Sequence, residues 1–290
     1  MIKESFGALG ASARDLFRNW RGLLILAAVY ALLLLSVYYF FATGVANVWQ
    51  LFVTALTAAA APLLFFLLQA AANAALPEAT AGRVVRRAPR DLLKVLLLAV
   101  PVALFAALFV YLLWKLQGWL PKVEEPSRYY TSVTGAGGGK PVPLRWQDAL
   151  VSSSWLLLLG VVLPLAAAHL WLSAARVGLK ATLKGLHRVL GRAFAPRSVL
   201  VYAVGLFLFG LMPYFVLFTR ASFTTGWSEL LLFGLRLALT FCLTLVGWVV
   251  TLGALARVTP PETGPPVAAE PAPAEPAPEP EPVAEPQLQA

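Results

Sequence analysis

Residues 22–77 read GLLILAAVYALLLLSVYYFFATGVANVWQLFVTALTAAAAPLLFFLLQAAANAALP, and none of these 56 side chains is charged. About 20 apolar residues in a helix cross the roughly 30 Å hydrocarbon core of a bilayer. The stretch is therefore too long for one helix and fits two, joined by a turn at residues 42–48. This pattern predicts an all-α polytopic membrane protein.

Four further apolar runs follow along the chain. They cover residues 95–114, 149–175, 198–219 and 229–256, and the last is interrupted by Arg236. The chain as a whole is 59% hydrophobic and 13% charged. A soluble domain is about 25% charged, so the composition excludes a single soluble domain. We therefore predict six transmembrane helices.

Lysine and arginine are distributed unevenly between the two sides of this bundle. With the N-terminus on the inner side, 16 of them lie on inner segments and 6 on outer segments. Basic residues near the ends of spans are retained on the cytoplasmic side. Both termini are therefore predicted to be cytoplasmic, in the inner (plasma) membrane of a bacterium.

The chain divides into three parts. Residues 1–20 have apolar side chains at helical spacing and predict an interfacial amphipathic helix on the inner surface. Residues 21–256 form the transmembrane domain, whose outer loop at about 117–147 is expected to hold a small hairpin around three glycines. Residues 257–290 contain eleven prolines and six glutamates and predict a disordered cytoplasmic tail. Such a tail docks a protein partner, folds back on the basic inner loops, or is inert.

Residues 174–197 carry a basic residue at about every fourth position, beside an apolar stripe. This spacing predicts one basic amphipathic inner helix that attracts anionic lipid head groups by about 1 kcal/mol per charge. The inner loop before the third span carries a similar, smaller set of basic residues. The candidate lipid-binding residues are Arg176, Lys180, Lys184, Arg188 and Arg192 in the helix and Arg83, Arg86 and Arg87 in the loop. The alternative is that these charges only fix the orientation of the protein.

A second candidate site is a polar cluster within the membrane. Four polar side chains are expected at similar depth toward the inner ends of spans two and four: Gln69, Asn73, His169 and Ser173. They either line a small pocket or form hydrogen bonds between helices. No paired carboxylates, metal-ligand spacing or nucleophile motif accompany them, and Cys242 is the only cysteine. We therefore expect no catalytic residue, no metal and no cofactor.

Arg236 is the one charged residue deep within a span, where an unpaired guanidinium costs a few kcal/mol. Pro213 leaves the Phe209 carbonyl without its helical N–H partner. We predict that Arg236 points into the bundle and donates to the backbone near Phe209. The alternatives are that it pairs with Glu229 on its own helix, or that it extends outward to the interface.

Two segments carry a resemblance to a known family. FRNWRG at residues 17–22 precedes the first span, and GRVVRRAPRD at residues 82–91 precedes the third. In this order of parts the chain resembles the membrane domains of glycerophosphodiester phosphodiesterases and related six-helix bacterial membrane proteins. The resemblance implies an architecture and not an activity, because we expect no phosphodiesterase catalytic domain in this sequence.

Two classes of function fit these features. The first is a non-catalytic membrane scaffold or accessory subunit that interacts with anionic lipid, a protein partner or both. The alternative is a transporter or channel for a small or amphiphilic solute. A filled bundle favours the first class, and a continuous polar lining favours the second. No nucleic-acid partner is expected, because no basic stretch alternates with exposed aromatic residues.

Overall fold

The computed structural model describes residues 2–75, 81–119, 146–219 and 226–259. Within these ranges the chain is almost entirely helical and contains no strand. Among these described residues, six helical segments are long and apolar enough to cross a membrane, in agreement with the predicted number of spans. They are Trp20–Ala42, Val48–Ala75, Val84–Trp119, Ala149–Val177, Pro196–Phe218 and Gly226–Val258. The expected outer-loop hairpin lies outside the described residues, as does the predicted tail from residue 260 onward; residues 257 and 258 still belong to the last helix.

The helices follow one another along the chain with short connections. They are α1 (Ile2–Arg18), α2 (Trp20–Ala42), α3 (Val48–Ala75), α4 (Ala81–Trp119), α5 (Trp146–Leu157), α6 (Leu163–Val177), α7 (Leu179–Lys184), α8 (Leu186–Ala193), α9 (Pro196–Leu206), α10 (Met212–Phe218) and α11 (Gly226–Val258). A π-helical turn joins α5 to α6, and another joins α9 to α10. Each of these turns precedes a proline, Pro164 or Pro213, whose missing N–H breaks the regular helical ladder.

The junction between α1 and α2 explains the segment FRNWRG. Asn19 caps α2, because its side-chain oxygen accepts a hydrogen bond of 3.2 Å from the backbone N–H of Gly22. A Cβ at position 22 would lie 2.7 Å from the Asn19 amide nitrogen. Glycine at this position therefore makes room for the cap that separates the two helices.

Contacts between helix ends show that α1, α6, α9 and α11 meet at one end of the bundle. The carboxylate of Glu4 in α1 lies 3.2 Å from Arg197 at the start of α9. The Ser12 hydroxyl donates to the Val250 carbonyl of α11 at 3.0 Å. Arg176, at the end of α6, donates to backbone carbonyls at the end of α11. We call this end the basic end; it includes Arg87, Arg90, Lys94, Arg176, Arg197 and Arg257.

Most of the buried core also lies toward the basic end. Its fully buried side chains include Leu165, Tyr202, Val249, Leu252 and Leu255. Toward the opposite end, aromatic residues such as Trp119 and Trp227 are exposed. Exposed aromatic residues at the ends of spans are typical of the membrane–water interface. Close packing between helices, and any site that depends on it, is therefore concentrated at the basic end.

Helix α1 packs against α11, α9 and α2. Its buried stripe includes Leu9 and Leu16, while Phe6 and Phe17 on the neighbouring face are exposed. The apolar residues of the amphipathic helix predicted for residues 1–20 therefore lie on two faces of α1. One face contacts the bundle, and the other leaves apolar rings available to a membrane.

The basic amphipathic helix predicted over residues 176–192 is not continuous in the structure. Gly178 ends α6 with a φ of +87°, a conformation that residues with a side chain rarely adopt, and Gly185 separates α7 from α8. Thr182 and Val189 face the bundle and are buried, whereas Leu183 is exposed. Only Gly178 needs the conformation that glycine favours, because Gly185 has an ordinary φ of −96°.

Candidate functional site

A cavity of about 680 Å³ lies at the basic end, among α1, α3, α4, α6 and α11. Ligand sites in proteins are typically about 300–1,000 Å³. Five basic and two acidic residues line this cavity, a formal excess of three positive charges. They are Arg87, Arg90, Lys94, Arg176 and Arg257, with Asp15 and Asp91.

Helix α4 contributes four of these charged residues from one of its faces. Residues 87, 90, 91 and 94 follow the spacing i, i+3, i+4, i+7, which aligns them along a helix. We expected a loop here and a span that begins at residue 95, but α4 begins at Ala81. Val84 and Ala88 are buried against the core, and this packing holds the first turns of α4 in helical form.

Three of the basic residues already have structural partners. Lys94 Nζ lies 2.7 Å from Asp91 Oδ1, and Arg257 forms an ion pair with Asp15. The guanidinium of Arg176 donates to the carbonyls of Ala256 and Thr259, the latter at 3.1 Å. Unpaired carbonyls at the end of a helix attract cations, so Arg176 caps α11.

Arg87 and Arg90 differ from the other three. In the parts of the chain that the structure describes, neither forms an ion pair with a carboxylate. Both side chains are exposed and line the cavity. Guanidinium groups bind phosphate and carboxylate oxygens in bidentate fashion, so this pair is available to an anion.

The wall of the cavity also has an apolar part. Leu16, Leu172 and Val249 line it beside the charged residues. The hydroxyl of Ser12, another lining residue, is occupied by its bond to the Val250 carbonyl. The cavity therefore offers cations and apolar side chains to the same occupant.

The chain matches no protein-family model, no curated protein and no solved structure. Among the described residues, no group of three or more His, Cys, Asp or Glu side chains is placed to hold a metal ion. The interpretation of the cavity therefore depends on its own geometry and charge.

The polar cluster predicted from the sequence is divided among separate hydrogen bonds. Gln69 Oε1 accepts a bond of 2.8 Å from the Trp248 indole N–H. His169 Nδ1 donates to the Leu165 carbonyl at 3.0 Å, while its Nε2 lies 3.4 Å from the Thr259 hydroxyl. Gln69 and His169 therefore both link their helices to α11 and do not face the cavity.

The other two members of that cluster also differ from each other. Ser173 shares a hydrogen bond of 3.1 Å with Thr182 of α7. Asn73 lines the cavity and is 6% exposed, and neither of its amide atoms has a hydrogen-bond partner within the described ranges of the chain. Of the four residues, Asn73 alone is placed at the cavity.

The candidate lipid-binding residues separate into two groups. Arg87 and Arg176 line the cavity. The remaining ones lie outside it: Lys180, Lys184 and Arg188 are exposed on α7 and α8, Arg192 is half-buried on α8, and Arg86 is exposed on α4. The side chain of Arg83 lies outside the described part of the chain.

Five charged residues of the cavity are not among the candidate site residues chosen from the sequence. Three of them, Arg90, Asp91 and Lys94, share the helical spacing of Arg87 and become recognisable once α4 is extended toward its N-terminus. Asp15 and Arg257 are 242 residues apart and meet only because α1 docks on α11. No local pattern in the sequence indicates that pair.

The predicted contact of Arg236 with the region near Phe209 is wrong. Arg236 donates instead to the carbonyl of Thr219, the residue that ends α10. Phe209 lies in the π-helical turn, where its ring packs on Trp248 at a centroid distance of 5.2 Å. The Arg236 side chain is long enough to reach the end of the neighbouring helix, where a free carbonyl is available.

Proposed function

We propose that this protein is a non-catalytic membrane protein, a scaffold or accessory subunit, that holds an anionic phospholipid by its head group in the cavity at the basic end. The observation that carries this proposal is the pair formed by Arg87 and Arg90. Both lie in a cavity with excess positive charge, and neither is neutralised by a carboxylate within the described residues. A phosphate diester supplies the missing negative charge and accepts hydrogen bonds from both guanidinium groups.

The position of the cavity supports a lipid over a soluble anion. Four of the five helices that line it, α3, α4, α6 and α11, belong to membrane spans, and the lining residues lie near their ends. Lipid head groups occupy this level of a bilayer. The apolar residues Leu16, Leu172 and Val249 beside the charges fit the glycerol backbone and first acyl carbons of the same molecule.

The distribution of charge supports a cytoplasmic basic end. The 16 basic residues on the inner segments and the 6 on the outer segments follow the positive-inside pattern. In that orientation the cavity faces the cytoplasmic leaflet, whose anionic lipids are attracted to basic residues. The proposed location is the inner membrane of a bacterium, with both termini in the cytoplasm.

The cavity lining does not continue across the membrane span, and this favours retention of the lipid over its transport. On α3 the cavity is lined by Asn73, Ala74 and Ala75, the last three residues of the helix. One turn further into the bundle, Gln69 is 2% exposed and bonded to Trp248. A carrier or channel needs a polar path that continues across the span, whereas this lining stays near the basic end.

Native mass spectrometry of the full chain in mild detergent tests the proposal. We expect retention of dioleoyl phosphatidylglycerol over dioleoyl phosphatidylcholine. The double variant Arg87→Gln/Arg90→Gln is expected to lose about tenfold or more of that retention, since each cation near a lipid surface contributes about 1 kcal/mol. These two residues are suitable because their replacement breaks no described ion pair.

A matched control is the double variant Lys180→Gln/Lys184→Gln, which removes two exposed cations of α7 outside the cavity. Its retention of phosphatidylglycerol is expected to stay within about twofold of the wild type. Equal loss in both variants would assign lipid binding to the general basic surface and overturn the cavity proposal. Displacement of the lipid by an equal concentration of glycerol phosphate would identify a site for a soluble anion.

A further inference from the structure

Asn73 distinguishes this cavity from a simple basic pocket. The residue belongs to the last turn of α3, lines the cavity and is 6% exposed. Neither the amide nitrogen nor the amide oxygen has a hydrogen-bond partner among the residues that the structure describes. Buried polar atoms in folded proteins are nearly always paired with protein groups or with water, so an amide that no described residue pairs is open to a group in the cavity that supplies both bonds.

Gln69 provides the internal comparison. It lies one helical turn before Asn73 on the same helix, is 2% exposed and carries the same amide group. Its oxygen is bonded to the Trp248 indole at 2.8 Å, so it has a structural role. On this face of α3 the Gln69 amide is therefore bonded within the protein, whereas the Asn73 amide lies at the cavity without a described protein partner.

The chemistry of an amide restricts what can pair with it. The Asn73 side chain presents two N–H donors and one carbonyl acceptor. A phosphate diester only accepts hydrogen bonds, and an ammonium group only donates them. A hydroxyl group does both, and it therefore pairs with the amide nitrogen and the amide oxygen together. An ammonium head group would also enter a cavity with an excess of three positive charges.

We propose that the cavity selects anionic phospholipids whose head group carries a hydroxyl group, with phosphatidylglycerol as the simplest example, and that Asn73 is the residue that determines this specificity. The inference rests on the proposed function, because it assigns the phosphate to Arg87 and Arg90. The alcohol that follows the phosphate then lies against the end of α3. Charge gives affinity for the phosphate, and the amide gives the choice among anionic lipids.

Two lipids of equal charge test the inference. Phosphatidylglycerol and phosphatidylethanol both carry one negative charge, and only the first has hydroxyl groups on its head. In native mass spectrometry of the full chain with dioleoyl forms of both, we expect the wild type to retain phosphatidylglycerol about tenfold more strongly, the ratio that one additional hydrogen-bonded group provides. In Asn73→Leu we expect a ratio near one, with retention of phosphatidylethanol unchanged.

Thermal unfolding without added lipid separates this role from a structural one. Leucine keeps the branched shape of asparagine, although it is larger, and it replaces the two unpaired buried atoms by methyl groups, so Asn73→Leu is expected to be about as stable as the wild type. Asn73→Ala serves as a second variant, since small residues surround this position on α3. The control Gln69→Leu is expected to lower stability and to keep the lipid ratio of the wild type.

The two proposals fail in different ways. If the wild type retains both anionic lipids equally, and Arg87→Gln/Arg90→Gln releases both, the hydroxyl specificity is wrong and the phosphate site stands. An unchanged ratio in the Asn73 variants would likewise overturn the role of Asn73. If neither anionic lipid is retained over phosphatidylcholine, the proposed function itself fails.

Discussion

The side chain of Thr251 in α11 lies directly over the backbone of Gly205 in α9. A Cβ at position 205 would fall 2.2 Å from the Thr251 hydroxyl oxygen, and both residues are buried. Thr251 also donates to the Gly247 carbonyl of its own helix, which fixes its orientation. Small residues that allow two helix backbones to approach are a general device of membrane bundles.

Gly205→Ala is therefore expected to destabilise the protein. The added methyl group forces α9 away from α11, and overpacking of this kind costs about 1–3 kcal/mol. Thermal unfolding in detergent measures the effect. The matched control is Gly234→Ala, because a Cβ at that exposed position in α11 meets nothing within 4 Å. Equal stability of the two variants would contradict the close contact.

Arg236 is expected to stabilise the hairpin of α10 and α11 through Thr219. Its guanidinium donates to the carbonyl that ends α10, so Arg236→Leu removes a charged cap and is expected to lower the free energy of unfolding by about 1–2 kcal/mol. The measurement is chemical or thermal unfolding in detergent. The conservative change Arg236→Lys keeps a donor and is expected to lose less.

A double variant distinguishes this cap from a contact near Phe209. Pro213 is not part of the Arg236–Thr219 bond, so the effects of Arg236→Leu and Pro213→Ala are expected to add within about 0.5 kcal/mol. If Pro213→Ala instead reduced the loss caused by Arg236→Leu, the guanidinium would depend on the proline-broken turn after all.

Asp15 is expected to limit the anion affinity of the cavity. Asp15→Asn removes one of its two negative charges and frees Arg257, so retention of phosphatidylglycerol is expected to rise, with a larger effect at low salt. The free energy of unfolding of Asp15→Asn is expected to change by only about 0–1 kcal/mol, because the Asp15–Arg257 pair is partly exposed. The control Glu4→Gln alters an exposed pair outside the cavity, with Arg197, and is expected to leave retention unchanged. Equal retention in both variants would contradict the electrostatic role of Asp15.

The orientation in the membrane is tested by labelling. Single cysteines at Ser127 and at Ala284, in a Cys242→Ala background, are expected to react with an impermeant maleimide from opposite sides. The reason is the excess of basic residues on the inner segments. Labelling of both positions from the same side would be incompatible with cytoplasmic termini and an outer loop at 117–147.

The sequence alone predicted the six spans, because crossing a bilayer is a local requirement. About 20 consecutive apolar residues meet it whatever their neighbours are, and residues 22–77 meet it twice. The helical spacing of Arg87, Arg90, Asp91 and Lys94 was also present in the sequence. The spacing alone does not indicate a helix, because charged residues before a hydrophobic run are typical of a loop; the burial of Val84 and Ala88 continues α4 through them.

Only the tertiary structure decided which of the many basic residues form a site. Arg176 caps α11 and Arg257 pairs with Asp15, whereas Arg87 and Arg90 have no such partner in the described chain. Gln69 and Asn73 carry the same amide group and lie one turn apart on α3. Gln69 nevertheless contacts Trp248, whereas Asn73 lines the cavity. These differences arise where α1, α3, α4, α6 and α11 converge. The partner of a long polar side chain depends on the helix packed against it, and residues far apart in the sequence determine that packing.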